Sequence, residues 1–268
     1  MNNDWGDLAG KGFELFPISK KDRALAFIEK DRDLQAQLYA IRGALKRNKE
    51  VDAKVIEQIH NMDKEIDSYH QNNDDFDDHH MMHMEDFRGD LLQRSVYSDA
   101  AHSMSAVGML APFVESLFVA LFEALRKAEE PDAQTDPRRQ TFQTLYWNPQ
   151  LVIKKGEIGN DLIRGIQELA KFVGLETFLP NGYDKTLTAL FAYRNNMFHN
   201  GFEWPKDKVE KFQRRMQNKD WPAEWFEHSS KNDVPWIYYM SEEFIQHCLK
   251  LIDQVLDGVG EYLEERDA

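Results

Sequence analysis

The stretch of sequence that decides the fold is LTALFAYRNNMFHNGFEW, residues 187–204. Leu187, Phe191 and Phe198 recur with helical spacing and mark an apolar stripe along this segment. Gly201 follows directly, and glycine is typical of the position just after a helix C-terminus because it adopts positive φ without strain. The segment therefore predicts a helix that packs one face on a core and ends at this glycine.

Helical periodicity continues towards the N-terminus. Apolar residues recur every three or four positions over residues 34–45 and again over residues 55–69, on either side of Asn48-Lys49. We interpret Asn48-Lys49 as a turn, so the two stretches predict an antiparallel hairpin of two long helices. Ser19 followed by Asp22 predicts an earlier helix start, because it resembles a capping box.

The rest of the chain also reads as helical, with no internal repeat and no strand–helix alternation. The fold class is therefore all-α: a helical bundle with an N-terminal long helical hairpin. Residues 1–95 are predicted to hold the hairpin and an acidic, histidine-rich segment, and residues 96–268 the bundle. The predicted elements are helices over 106–127, 153–173 (stopped by Gly174), 184–200, 206–216 and 244–263 (capped by Ser241), a loop over 130–139, an irregular segment over 221–236 and one short strand over 234–240.

Composition limits the classes of protein. The 268 residues include 33 Lys and Arg against 47 Asp and Glu, a net charge of −14, which disfavours nonspecific binding of nucleic acid or anionic membranes. The single cysteine, Cys248, excludes a disulfide framework and fits a reducing cytosol, and its place in a helix stripe predicts a small core residue. The apolar stretch 100–125 contains Pro112 and two glutamates, which favours a buried helix over a membrane span. Together with an N-terminus that lacks a signal-peptide pattern, this predicts a soluble cytoplasmic protein that does not contact a membrane.

Two residues of the quoted segment bear chemistry. Arg194 lies in line with the apolar stripe, and a guanidinium that cannot lose its proton must there meet a carboxylate, line a cleft or face a partner chain. A structural ion pair is the plain alternative. His199 lies in the last helical turn, where a capping histidine is the simpler explanation if it is taken alone. On an ideal helix the two residues are about 140° apart, so they share no face unless the last turn unwinds or two copies of the helix meet.

Taken together, Arg194-Asn195-Asn196-Met197-Phe198-His199 resembles the motif of HEPN-superfamily ribonucleases, in which an arginine and a polar residue are followed by three residues and a histidine. The resemblance covers residues 97–263. It implies a helical bundle in which the motif lies near the end of the penultimate core helix, with one further long helix after it.

The resemblance implies a metal-independent endoribonuclease without a cofactor, active as a homodimer or higher homo-oligomer whose motifs line a shared cleft. Arg194 would bind the scissile phosphate, His199 would transfer protons, and Asn195 would orient one of these groups. The RNA 2′-hydroxyl would attack, leaving a cyclic phosphate and a 5′-hydroxyl. The setting would be a toxin–antitoxin or antiviral-defence system with an antitoxin or regulatory partner. One family variant has a modified tyrosine two residues after the histidine; Gly201 stands there, and Tyr193 is a different candidate target.

Local charge permits RNA binding next to the motif. Residues 205–219 hold six basic and two acidic residues, a local charge of +4. Trp204, Trp221 and Trp225 bracket this stretch, and aromatic rings stack unpaired bases. The alternative is a solvated helix face beside core tryptophans. The predicted RNA-binding residues are Lys206, Lys208, Lys211, Arg214 and Arg215.

The acidic segment, residues 71–90, invites a metal hypothesis. His79 and His83 are four residues apart and share a helical face, with several aspartates just upstream. No cysteine and no HExxH pattern accompany them, so we favour a solvated acidic edge and predict no metal site. For the whole protein, the alternative to a nuclease is a non-catalytic helical binding module with a structural Arg–His pair.

Overall fold

The computed structural model describes residues 18–28, 32–72, 78–128, 147–154 and 157–267. Helices dominate these residues, as the all-α prediction requires. The helices are α1 (Lys20–Ile28), α2 (Leu34–Asn72), α3 (Asp78–Ala128), α4 (Leu162–Val173), α5 (Tyr183–Asn200), α6 (Lys206–Asn218) and α7 (Glu242–Asp267).

Two small antiparallel hairpins interrupt the helices of the described residues. The strands are β1 (Leu151–Lys154), β2 (Glu157–Asn160), β3 (Phe226–Lys231) and β4 (Val234–Met240), paired β1–β2 and β3–β4. The short strand predicted over 234–240 is confirmed. The irregular segment predicted over 221–236 is wrong for β3, because Asn232 and Asp233 take φ values of 52° and 59° and close a two-residue turn between β3 and β4.

A long α-hairpin is present, but the prediction of a turn at Asn48-Lys49 is wrong. Helix α2 runs unbroken for 39 residues and pairs with the 51-residue α3. The two apolar stretches of α2 belong to one seven-residue pattern, and Asn48 and Asp52 occupy stripe positions between them.

Polar partners on α3 explain why α2 does not break there. Asn48 donates a hydrogen bond to the Ser105 hydroxyl (3.2 Å), and the Ser98 hydroxyl donates to the Asp52 carboxylate (2.6 Å). His102 Nδ1 lies 3.6 Å from the second Asp52 oxygen. Polar groups inside a helix pair are tolerated when they are hydrogen-bonded, so this layer, the polar junction, replaces the expected turn.

The polar junction separates two parts of the α-hairpin. We call residues 49–72 and 78–96 the arm, and the other described residues the body. Helix α3 continues through residues 95 and 96, so the two predicted domains share one helix. The predicted 106–127 helix is its body half, and the predicted 130–139 loop lies outside the described residues.

In the body, α3 is the central helix and contacts α5, α7 and β4. Among the described helices, α3 has the length and composition that would allow it to cross a membrane, which is weak evidence because 56% of its most apolar window is buried inside the protein. Helix α1 packs on α7, where Asp253 accepts hydrogen bonds from Lys21 and Arg42. The approach is close: a Cβ on Gly260 would lie 2.0 Å from the Lys20 carbonyl oxygen.

The predicted helix over 153–173 is half right. Its first part forms β1 and β2, and α4 begins only after Asp161, whose side chain accepts a hydrogen bond from the Arg164 amide. The predicted caps at three helix ends are confirmed, whereas the helices predicted over 206–216 and 244–263 are longer in the structure, as α6 and α7. Gly174 (φ 78°) ends α4, Ser19 caps α1 by accepting from the Asp22 amide, and Ser241 caps α7 by accepting from the Phe244 amide. Cys248 is buried in α7, as predicted for a core residue.

Candidate functional site

Helix α5 carries the Arg–His motif, and its buried face differs from the predicted stripe. Leu187 is buried as expected, but Phe198 is 55% exposed. The core face instead runs through Leu190, Tyr193 and Met197. A stripe through Leu187, Leu190, Tyr193 and Met197 has i, i+3, i+6 and i+10 spacing, and Arg194, seven residues after Leu187 and four after Leu190, lies at the edge of this face and is partly exposed.

The C-terminus of α5 is regular and well anchored. The helix continues to Asn200, and Gly201, at φ 72°, donates its amide to the Met197 carbonyl (2.9 Å). The Trp204 indole N–H then donates to the Gly201 carbonyl (3.0 Å). Because the last turn does not unwind, the angle of about 140° between Arg194 and His199 holds within one chain.

Arg194 is partly exposed and is not tied to an acid. Its guanidinium donates to the Asn195 side-chain oxygen (3.2 Å) and lies 5.9 Å from the centre of the Phe198 ring. Within the described residues no carboxylate forms an ion pair with it. Arg194 therefore keeps donors available for an external anion, which is the second of the three outcomes expected from the sequence: it lines a cleft.

That cleft is a groove of about 430 Å³ between α5, the start of α4 and α3. Arg194, Asn195 and Phe191 form one wall, and Asp161 and Glu115 lie on the others. Gln150, which donates to the Glu115 carboxylate, also lines the groove. The mixture of one cation and two carboxylates suits a ligand with both donors and acceptors better than a long polyanion.

His199 does not belong to the described lining of this groove and is exposed on another side of α5. One chain thus brings together Arg194 and Asn195 but not His199. The neighbouring asparagines serve the helix itself, since Asn196 donates to the Ala192 carbonyl and Asn200 to the Asn196 carbonyl.

Tyr193 is not available as a surface target. Its side chain is 0% exposed, and its hydroxyl donates to the Tyr238 carbonyl (3.0 Å) inside a cluster of aromatic rings. Burial raises the pKa of Tyr193. The idea that Tyr193 replaces the modified tyrosine of the family variant therefore fails, because an enzyme cannot reach this hydroxyl in the folded chain.

The predicted RNA-binding residues all lie on α6. Lys206, Lys211, Arg214 and Arg215 are exposed, and Lys208 is partly exposed. Some are engaged locally: Lys211 pairs with Asp207 (3.7 Å), and the Arg215 guanidinium lies 5.8 Å from the centre of the Trp221 ring. The helix buries Val209 and Phe212 and turns its cations outward, so it offers a basic surface next to the end of α5.

The bracketing tryptophans are core residues. Trp204, Trp221 and Trp225 are each at most 6% exposed, and their rings pack with Phe212, Phe226 and Phe244. They hold α6 and the β3–β4 hairpin against the body and offer no face to an RNA base. The partly exposed tryptophan of this region is Trp236, which is not among the predicted RNA-binding residues. Its only sequence signal was its place in the short strand predicted over 234–240.

The acidic segment shows no assembled metal site. Among the described residues, no group of three His, Cys, Asp or Glu side chains could hold a metal ion. His79 and His83 lie on the exposed side of α3, and residues 73–77 are outside the described part of the chain. Two histidines alone leave a tetrahedral metal ion half-liganded, so this geometry supports no metal proposal.

No protein-family model, no curated protein and no solved structure matches this chain. The functional assignment therefore depends on the residues and their geometry.

Proposed function

We propose that this protein is a metal-independent endoribonuclease, with a HEPN-like bundle whose active site forms where two copies of α5 meet. The observation that carries the proposal is the state of the motif: Arg194, Asn195 and His199 all reach solvent at one helix end, and Arg194 has no carboxylate partner among the described residues. Unpaired cations held at a fixed site are suited to binding a phosphate.

The roles follow from the chemistry of each group. The guanidinium of Arg194 would fork onto the non-bridging oxygens of the scissile phosphate and stabilise the charge that develops there. The His199 imidazole would take the proton of the 2′-hydroxyl or protonate the leaving 5′-oxygen. Asn195 already accepts a hydrogen bond from Arg194, so it would set the direction of the guanidinium.

A second copy of the chain is required by the helix geometry. Residues about 140° apart on a regular helix diverge, but a two-fold axis beside the helix end can place Arg194 of one copy opposite His199 of the other. The exposed Phe198 lies between them in sequence and supplies apolar surface for such a contact. The setting proposed for this activity is an RNA-cutting toxin or antiviral-defence effector in the cytoplasm.

The test is cleavage of a structured RNA in EDTA by wild-type protein and by Arg194→Ala and His199→Ala variants. Each variant should lose about 10²–10⁴-fold in rate, the usual contribution of a proton-transfer group or an oxyanion-stabilising donor. Lys185→Ala is the matched control, since it removes a partly exposed cation from the other end of the same helix and should cut normally. Equal cutting by all variants, or no cutting by the wild type, would refute the nuclease.

Mixing the two inactive variants tests the shared site. A mixed dimer holds one site with both wild-type groups, so random mixing should restore about a quarter of the wild-type rate. If Arg194 and His199 acted within one chain, mixing would restore nothing.

The second candidate is a non-catalytic binding module, and the groove of about 430 Å³ favours it. This groove includes Arg194 and Asn195 but not His199, as a small-ligand site with one anion-binding group would. A binding module predicts that Arg194→Ala abolishes ligand-dependent thermal stabilisation while His199→Ala leaves it intact. A nuclease predicts that both substitutions abolish cutting.

A further inference from the structure

We infer that Tyr97, Phe202 and Trp236, which we call the aromatic corner, form a stacking site for an unpaired base of single-stranded RNA. The inference rests on the proposed nuclease and names where its substrate is held. The three rings come from α3, from the segment that follows α5, and from β4, so they meet just beyond the Arg–His motif.

The rings are assembled in a defined geometry. Tyr97 and Trp236 lie with their centres 5.7 Å apart and their planes at 87°, and Phe202 lies 6.4 Å from Tyr97. All three side chains are partly exposed, unlike Trp204, Trp221 and Trp225. The partly exposed aromatic surface is therefore formed by these three rings and not by the tryptophans that bracket α6.

Glu203 holds the corner rigid. Its carboxylate accepts a hydrogen bond from the Tyr97 hydroxyl (2.6 Å) and another from the Trp236 indole N–H (3.0 Å). Hydrogen bonds from Tyr97 and Trp236 keep the pKa of Glu203 low, so the clamp is ionised at neutral pH. With the polar groups of both rings hydrogen-bonded, the rest of their exposed surface is aromatic, and rigid aromatic rings bind with little loss of conformational entropy.

Cations accompany the aromatic corner. Lys231 lies 5.3 Å from the centre of the Trp236 ring, and the exposed Lys206 follows Glu203 by three residues. Aromatic faces flanked by cations are the pattern by which proteins hold single strands, because every base has a face to stack and every nucleotide a charge to neutralise. Bases in a duplex are already stacked, so the corner selects unpaired segments.

Trp236 provides a direct optical test. Of the tryptophans that the structure describes, Trp236 is partly exposed and the others are buried, so a base stacked on it should quench a distinct part of the emission. The experiment titrates full-length His199→Ala protein in EDTA with a single-stranded oligouridylate of about twelve nucleotides, the length range that such channels cover. Emission should fall with saturation, and an equal length of duplex RNA should cause little change.

Two substitutions assign the signal. Trp236→Phe should abolish most of the quenching but retain binding by fluorescence anisotropy, since phenylalanine still stacks. Trp236→Ala should weaken binding by about 5- to 150-fold, the equivalent of ~1–3 kcal/mol per stacked base. Phe87→Ala is the matched control, because it removes a 49% exposed aromatic ring from the arm and should leave affinity unchanged.

Unchanged affinity in a folded Trp236→Ala protein would overturn the aromatic corner, and so would quenching that survives in Trp236→Phe. These outcomes are separable from failure of the nuclease. RNA binding through Trp236 without cutting by the wild type would refute the enzyme alone. Cutting with no contribution from Trp236 would refute the corner alone.

Discussion

The body and the arm of this protein use the same two helices in different surroundings. In the body, Leu34, Leu38 and Leu45 of α2 are at most 4% exposed, and α3 from residue 100 onward is covered on several sides. In the arm, the equivalent stripe of α2 is only half-buried, and Met81 and Leu91 are the apolar side chains of the described arm that reach full burial.

Exposed apolar surface follows the same division. Five of the ten large apolar side chains exposed among the described residues belong to the arm, although the arm is much the smaller part: Val51, Ile56, Met82, Phe87 and Leu92. A helix gains most of its stability from packing its apolar face, and the arm helices have only each other. The difference teaches that an unbroken helix is not evenly stable along its length.

The largest expected effect comes from comparing two leucine-to-alanine substitutions on α3, one in the body and one in the arm. Leu110→Ala, at a fully buried body position of α3, should lower the free energy of unfolding by about 3–4 kcal/mol because it leaves a cavity. Leu91→Ala in the arm should lower it by about 1–2 kcal/mol, since a two-helix pair can close or hydrate the gap. Urea denaturation followed by circular dichroism measures both, and equal losses would contradict the contrast.

The next test removes the Asp253 carboxylate of the body, which pairs with two cations. Burial raises the pKa of Asp253, but hydrogen bonds from Lys21 and Arg42 outweigh it and hold the pKa below its usual value. Asp253→Asn should therefore lower the free energy of unfolding by about 1–2 kcal/mol at pH 7.

The sign of the pH dependence follows from that lowered pKa. The stabilisation by Asp253 is fully present above the unfolded-state pKa of about 4 and disappears as the pH falls through the lower folded value. Stability measured against pH should thus converge for wild type and variant in acid. Asp63→Asn, which removes the carboxylate paired with Arg88 in the arm, is the matched control and should have the smaller effect.

Asp99, which follows Ser98 of the polar junction, offers a stabilising change. Burial, with the nearby charges of Asp52 and Glu227, raises the pKa of Asp99 to about 6. A raised carboxyl pKa means that the folded state loses stability as the pH rises from about 4 through 6. Asp99→Asn should therefore raise the free energy of unfolding by about 1 kcal/mol at pH 7, after allowance for the part of the carboxylate that meets water.

Thermal denaturation at pH 4 and at pH 7 checks this prediction, with the gain confined to the higher pH. Ser95→Ala is a matched control, because it alters a partly exposed polar residue of α3 one turn earlier in the arm. A destabilised Asp99→Asn protein at pH 7 would contradict it.

The smallest expected effect is on RNA affinity, and it compares cations of α6 with a cation of the arm. Lys211→Gln and Arg214→Gln on α6 should each weaken single-stranded RNA binding about two- to fivefold and lower the slope of log affinity against log salt by about one. Lys64→Gln on the exposed surface of the arm should change neither quantity. Equal effects of the α6 and arm substitutions would mean that RNA does not bind preferentially to α6.

Sequence patterns predicted the helices well wherever a local signal marked their ends. Gly174 and Gly201 lack a Cβ and take positive φ, and Ser241 supplies a side-chain acceptor, so each end is encoded by one residue. The β3–β4 turn had a local signal too, in Asn232-Asp233, but the prediction placed these residues in an irregular segment. Asn48 was misread because its partner, Ser105, lies 57 residues away and no local pattern reveals it.

The same distinction between local signals and partners distant in sequence applies to the candidate site. The sequence by itself determined which residues form the candidate motif, because the order Arg194, Asn195 and His199 on a helix ending at Gly201 depends only on neighbours along the chain. Only the tertiary structure decided that Arg194 lines a groove, that Tyr193 and three tryptophans are core, and that Trp236 reaches solvent. The burial of a side chain depends on which elements, distant in sequence, cover it. The spacing of residues along the chain does not reveal that packing.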